Sequence, residues 1–246
     1  LRNLIKVNKE GTANVVNVCL EKKVKHLCYV SSTAAIGKTV GRDILDETDQ
    51  WARSTENSNY SVSKHLAEME VWRGINEGLN AVIINPGVIF GPGNWDETSL
   101  SVFKIGKRGM KHFASGGNGF VDARDVARIA LELSEHRIFN ERFLVVSENV
   151  SFLEVMTEIS TQFGTTPPKR PAGKLLVGLA WRGEALLKFF FGKPPRLTRE
   201  TARAAMKMTR YSSEKIRQRI GYQFIPVKKS IGDAVAFFQQ GAKGKS

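Results

Sequence analysis

At 246 residues, 41% of them apolar, the chain is long enough to bury a substantial core and too ordinary in composition to be a disordered polymer. Its formal charge of +13 is concentrated: 18 Lys/Arg stand against 4 Asp/Glu from Thr165 to Ser246, and 19 against 20 before that point. No apolar run is long enough to cross a bilayer, which excludes a membrane-spanning helix.

The opening LRNLIKVNKEG begins inside an amphipathic pattern and shows no signal-like apolar stretch. The sequence therefore reads as starting mid-domain, with an N-terminal portion expected ahead of it. Apolar residues at helical spacing (Leu4, Val7, Val15, Val18) predict one helix over Leu4–Leu20. VKHLCYVSS then reads as a short buried parallel strand. The polar stretch AAIGKTVGRDILDETDQWARSTENSN predicts a long loop, of a length that is usually functional. A helix follows from Tyr60 to Glu77, stopped by Gly78, and LNAVIINPGVIFGPGN predicts a strand running into a Gly/Pro loop. Helix, strand, helix, strand is the order of right-handed parallel crossovers, so the fold class expected is α/β with a doubly wound parallel sheet.

Beyond Gly93 the pattern predicts helices at 98–108, 124–136 and 151–163 and short strands near 119–122 and 142–146. GTTPPKRPAG reads as a turn-rich linker, and KLLVGLAWRGEALLKFFFG as an apolar helix that is either core or a pocket lining. Two or three more helices should fill the tail, the last around KKSIGDAVAFFQQ. Trp95, Met110 and Phe113 are candidates for pocket walls or for plain packing. The two cysteines, Cys19 and Cys28, lack metal-ligand spacing and are expected as buried thiols in a reducing cytoplasm. The four histidines are scattered, so no metal site is expected. The basic C-terminal third suits either an acidic partner or a solvated surface. No nucleic-acid motif accompanies it, so nucleic acid is not expected, while peripheral contact with an anionic membrane stays open.

Chemistry is concentrated in NYSVSKHLAE and in YVSSTAAIG ahead of it. Residues four apart share a helix face, so Tyr60 and Lys64 point into one cleft. A phenol of pKa near ~10 is a poor acid-base group at neutral pH, and a neighbouring ammonium favours its phenolate. Ser32 stands at the carboxyl end of the preceding strand, where open parallel sheets bind ligands, and its hydroxyl can hold a substrate oxygen beside the tyrosine. For the Tyr/Lys spacing alone, a surface tyrosine beside a solvated lysine is the plain alternative.

Taken together, VNKEGTANVV, VKHLCYVSSTAAIG, DET, YSVSKHLAE, NPGVIFGPG, GFVDARDVARIA and YSSEKIRQRIGY resemble the extended short-chain dehydrogenase/reductases, the NAD(P)-dependent epimerase/dehydratase group. The resemblance covers most of the chain. It implies a Rossmann dinucleotide-binding domain, here N-terminally incomplete, over residues 1–95. Residues 96–246 would be a mixed region, with strands near 119–146 returning to the sheet and a smaller, mostly helical, basic substrate portion. It implies Ser32, Tyr60 and Lys64 as the catalytic trio. Pro86, Gly87 and Val88 would touch the nicotinamide end of NAD or NADP, with Ser31, Tyr60 and Lys64 as further cofactor contacts. Asn8 matches an asparagine with a structural or proton-relay role. A homodimer through the helices that flank the sheet is an expectation of the resemblance alone. The family's Gly-rich turn, which lets the backbone approach the pyrophosphate, has no counterpart in these residues.

Thr33, Ala34 and Ala35 follow the serine where sugar dehydratases carry an acidic pair, which argues against dehydration. Asn85, Val88 and Ile36 replace residues that contact a nucleotide-sugar in many epimerases, and INPGVIFGP is closer to the dihydroflavonol-reductase-like branch. The leading expectation is therefore reduction of a ketone or aldehyde in a small-molecule substrate, with Tyr60 as the acid. An NDP-sugar epimerase with tightly held NAD, and a non-catalytic nucleotide-binding protein, are the alternatives.

Overall fold

The computed structural model describes residues 2–37, 39, 41–52, 54, 57–94, 100–173 and 199–243. In chain order it contains α1 (Arg2–Ile5), a π-helical turn (Lys6–Glu10), α2 (Gly11–Glu21), β1 (Leu27–Val30), β2 (Ile44–Leu45), α3 (Asn59–Asn76), β3 (Ala81–Pro86) and β4 (Val88–Phe90). These are followed by α4 (Ser101–Arg108), β5 (His112–Phe113), β6 (Gly117–Asp122), α5 (Ala123–Glu135), β7 (Glu141–Val145), β8 (Glu148–Ser151) and α6 (Phe152–Gln162). The chain ends with β9 (Arg170–Pro171), α7 (Arg199–Ala204), β10 (Arg210–Tyr211), α8 (Glu214–Ile220) and α9 (Val227–Lys243).

Two units emerge: Leu1–Ile89 with Phe120–Glu148 and Tyr211–Ile225, and Phe90–Gly119 with Asn149–Arg210 and Pro226–Ser246. The division falls at Ile89/Phe90 rather than at residue 95, and the return of 211–225 to the first unit was not expected from the sequence. In the first unit β1, β3 and β7 form a parallel sheet in the order β1–β3–β7, with Leu27 opposite Ala81 and Val82 opposite Glu141. Every residue of β3 is buried, as a strand covered on both faces requires.

Strand parity sorts the core. Ala81 and Ile83 pack with Val16, Cys19, Val71 and Leu79 from α2, α3 and the turn after α3, joined by Leu27 and Tyr29. Val82 and Ile84 face the other way, onto Val126, Ile129 and Leu133 of α5 and Ile216 of α8. In the second unit Phe103 of α4 meets the rings of Phe90 and Phe238 at 5.4 and 6.1 Å.

The helix expected from Tyr60 to Glu77 runs Asn59–Asn76, capped by the Ser58 side chain accepting from Ser61 N. It stops at Gly78, whose φ of +99° only glycine adopts readily; Leu79 N returns to Gly74 O at 2.9 Å. The helix expected over Leu4–Leu20 is interrupted by the π turn that contains Asn8. The long loop is not featureless: Thr33–Ala35 forms a 3-10 turn, β2 lies within it, and Glu47 Oε1 accepts Leu144 N from the β7 edge at 2.7 Å. Cys19 is buried, but Cys28 is only half-buried, and both thiols are free. Burial pushes the Cys28 thiol upward in pKa. The apolar segment KLLVGLAWRGEALLKFFFG and Trp95 lie outside the described residues, as do 6 of the 18 Lys/Arg of the basic C-terminal third. Among the described residues, no helix is long and apolar enough to cross a membrane.

Gly37 closes the strand–loop transition that carries the two serines. A Cβ there would collide with the backbone of Gln50 and Trp51, which cannot swing aside as a side-chain end can. Gly37→Ala should therefore cost ~1–3 kcal/mol of stability, measured by urea denaturation. An unchanged midpoint and slope would show that the loop yields freely.

Candidate active site

The site grows from one helix and two strand tips. Tyr60, Lys64 and Glu68 follow one another at four-residue spacing on α3, and so form a stripe along one face. Tyr60, in the first turn, is 47% exposed. Lys64 is half-buried; its Nζ donates to Val30 O at the end of β1 (3.3 Å) and lies 5.3 Å from the centre of the Tyr29 ring. Burial lowers the Lys64 pKa, and the Glu68 carboxylate one turn on pulls it back up. Glu68 itself is 2% exposed.

Parity decides which serine does what. Leu27 and Tyr29 face the α2/α3 layer, and Ser31, two residues further on, shares that face. It is buried, and its Oγ donates to Glu68 Oε2 at 2.8 Å. Ser32 has the opposite parity and is half-buried. It is extended (φ −164°, ψ 151°), and its Oγ accepts Ala34 N at 3.1 Å, capping the 3-10 turn. That leaves the hydroxyl proton of Ser32 to be given outward. Ser31, expected as a cofactor contact, gives its hydroxyl to Glu68 and its N–H to Ile84 O.

The end of β3 is tied to the same place. Asn85 Nδ2 donates to Ser32 O at 3.0 Å and to Glu68 Oε2 at 2.7 Å. Asn85 Oδ1 is buried and has no partner. Pro86 is buried at the strand end, Gly87 N donates to Val145 O at 3.1 Å, and Val88 begins β4; Gly87 and Val88 are half-buried. Asn8 sits in the π turn, a geometry that recurs at functional sites. Its Nδ2 donates to Ser63 Oγ (3.0 Å), which donates in turn to Tyr60 O (2.8 Å), while Thr12 Oγ1 donates to Asn8 O (2.6 Å). Through these bonds Asn8 acts structurally, anchoring the first turn of α3, which carries Tyr60. Met110 and Phe113, both half-buried, belong to the second unit.

Sequence reasoning missed Glu68 as a buried hub. A glutamate four residues after a lysine reads as a surface ion pair. The signal available was parity, which brings Ser31 and Asn85 to the face that α3 covers. Arg142, whose Nη1 donates to Glu68 Oε1 at 3.3 Å, carries no local signature at all.

The family model for the 3-beta hydroxysteroid dehydrogenase/isomerase family matches residues 2–128, more than half of the chain. The chain belongs to this family. It is a family of NAD(P)-dependent enzymes, of the extended short-chain dehydrogenase/reductase type. A Synechocystis sp. protein named provisionally as a dihydroflavonol 4-reductase is 27% identical over 245 residues, 96% of this chain and 71% of that protein. Cinnamoyl-CoA reductase 1 of Petunia hybrida is 26% identical over 94% of this chain and 64% of its own length. An Arabidopsis thaliana 3beta-hydroxysteroid-dehydrogenase/decarboxylase (isoform 1) is 28% identical over 94% of the chain and 57% of its own length. Of solved structures, gox2253 superposes with a TM-score of 0.81 at 28% identity, covering 98% of this chain and 74% of that one.

The residues present fit the nicotinamide-ribose end of such a cofactor. The Lys64 ammonium and the Ser32 hydroxyl proton can still donate at the strand tips, and the Asn85 oxygen lacks a donor beside them. A lysine whose pKa is lowered by burial binds its proton less tightly in the fold than in the unfolded chain. Its contribution therefore disfavours folding at neutral pH and fades as pH rises through the folded value towards the unfolded one near ~10.4. Lys64→Met should accordingly keep a melting temperature at least equal to the parent's at neutral pH, by thermal denaturation. A fall of more than about 4 °C would make Lys64 a net support of the fold.

Proposed function

We propose that the protein reduces a ketone or aldehyde in a largely apolar small molecule at the expense of NAD(P)H. Ser32, Tyr60 and Lys64 do the work of the chain in this reaction. The observation that supports this reading is the reach of Lys64 from α3 to Val30 O at the end of β1, two residues before Ser32, with the exposed Tyr60 one turn earlier on the same helix. Bound NAD(P)H would supply the hydride. The Ser32 hydroxyl donates to the carbonyl oxygen and orients it. Tyr60 gives its proton to the oxygen as negative charge develops there. Lys64 and the Pro86–Val88 segment would hold the ribose and nicotinamide end. In the oxidative direction Tyr60 takes the proton back.

The residues after Ser32 support reduction over dehydration. Thr33 and Ala35 are 7% and 1% exposed, and neither is an acid. The second unit supplies, on this reading, most of the substrate-binding portion. Two free thiols suit a cytoplasmic setting.

Tyr60→Phe in the full-length protein should lower turnover by about two to four orders of magnitude with an unchanged circular dichroism spectrum and melting temperature. Loss of reduced-cofactor absorbance in step with substrate, at one equivalent each, should accompany the parent's turnover. Near-parent activity in the phenylalanine variant would reject the mechanism, and turnover with no net loss of reduced cofactor would favour epimerisation.

A further inference from the structure

The carboxylate of Glu68 is not used by the chemistry proposed above, yet it is one of the most buried charges described, at 2% exposure. Its Oε2 accepts Ser31 Oγ at 2.8 Å and Asn85 Nδ2 at 2.7 Å. Its Oε1 accepts Arg142 Nη1 at 3.3 Å, with Trp72 Nε1 at 3.5 Å. One side chain of α3 thus holds residues at the ends of β1 and β3 and an arginine of β7. Asn85 passes the hold on, because the same Nδ2 also donates to Ser32 O.

We propose that Glu68 is a positioning residue: its buried carboxylate braces Ser31 and Asn85 so that Ser32 keeps its place at the strand tip, and it leaves Lys64 an anionic neighbour one turn away. Glu68 touches no reacting group, and with three good donors on its two oxygens it is not placed to exchange protons with a substrate. The inference rests on the assignment of Ser32, Tyr60 and Lys64 to the reaction. It adds the reason why the second serine, Ser31, stands beside the first.

The charged and titratable groups that face this carboxylate are Tyr29 on β1, Arg142 on β7, and Lys64 and His65 on its own helix. Removing the charge without changing the shape should therefore reach Lys64. Glu68→Gln in the full-length protein should lower kcat by about tenfold or more while the KM for reduced cofactor stays within about twofold. Independently of activity, the Lys64 ε-methylene signal, followed by NMR with labelled lysine, should titrate at lower pH than in the parent. A folded Glu68→Gln protein with parental kcat, or with an unmoved Lys64 titration, would overturn the brace. Should that variant not fold, Ser31→Ala removes only one arm; it should lower kcat severalfold with KM unchanged, and parental kcat there overturns the proposal equally. Tyr60→Phe measured alongside separates the two claims: activity surviving in that variant rejects the underlying mechanism, whereas its loss together with parental behaviour in Glu68→Gln rejects the brace alone.

Discussion

A carboxylate taken out of water must find donors, and Glu68 finds them at the ends of two strands and the base of a third. Leaving such a charge unpaired in a protein interior costs several kcal/mol, so the arrangement around it is tightly specified. Ser31, Asn85 and Arg142 come from segments far apart in sequence, and each gives a hydrogen bond that would be costly to vacate. Arg142 carries the constraint outward, because its guanidinium also donates to Glu47 O and Asp49 O in the loop after the serines. Arg42 reaches the same loop through Asp46 and Asp49. Loop, helix and sheet are thereby held to one another by polar contacts beside Ser32 and Lys64.

The stripe on α3 shows a gradient of burial. Tyr60 is open to solvent, Lys64 is half-covered, and Glu68 is sealed. For Lys64 two effects oppose each other: desolvation is the larger and lowers its pKa, while Glu68 raises it. The net effect is that Lys64 binds its proton less tightly than a surface lysine does. Its Nζ donates to one backbone carbonyl, and an ammonium carries three donors, so two remain for a ligand on the proposed reading.

Much of this was legible in the residues. The buried run AVIINP, the helix that Gly78 stops, and the Tyr/Lys spacing all follow from local chemistry, and the structure reproduces them within a residue or two. The interruption of the first helix was not legible, because the π turn at Asn8 is selected by a tertiary bond to Ser63 and not by propensity. Nor was the content of the long loop. Much of its order comes from Arg142 and the β7 edge, whose separation in sequence no local pattern encodes. The resemblance offered Ser31 as a cofactor contact and gave no sign of its bond to Glu68. Strand parity, which the same letters contain, turns it inward to Glu68.

The distribution of acids also narrows the chemistry. A dehydrating enzyme needs a carboxyl group beside the substrate oxygen, free to gain and lose a proton. The carboxylate that meets the ends of β1 and β3 is Glu68, and its oxygens are occupied by Ser31, Asn85 and Arg142. Thr33 and Ala35, in the turn that Ser32 caps, are buried, so an acid at either position would meet the same desolvation without the same donors. The Tyr60 phenol, by contrast, is open to solvent. On the proposed reading one proton donor, one orienting hydroxyl and one cation suffice for the reduction of a carbonyl, whereas elimination would need an acid that Thr33, Ala34 and Ala35 do not supply.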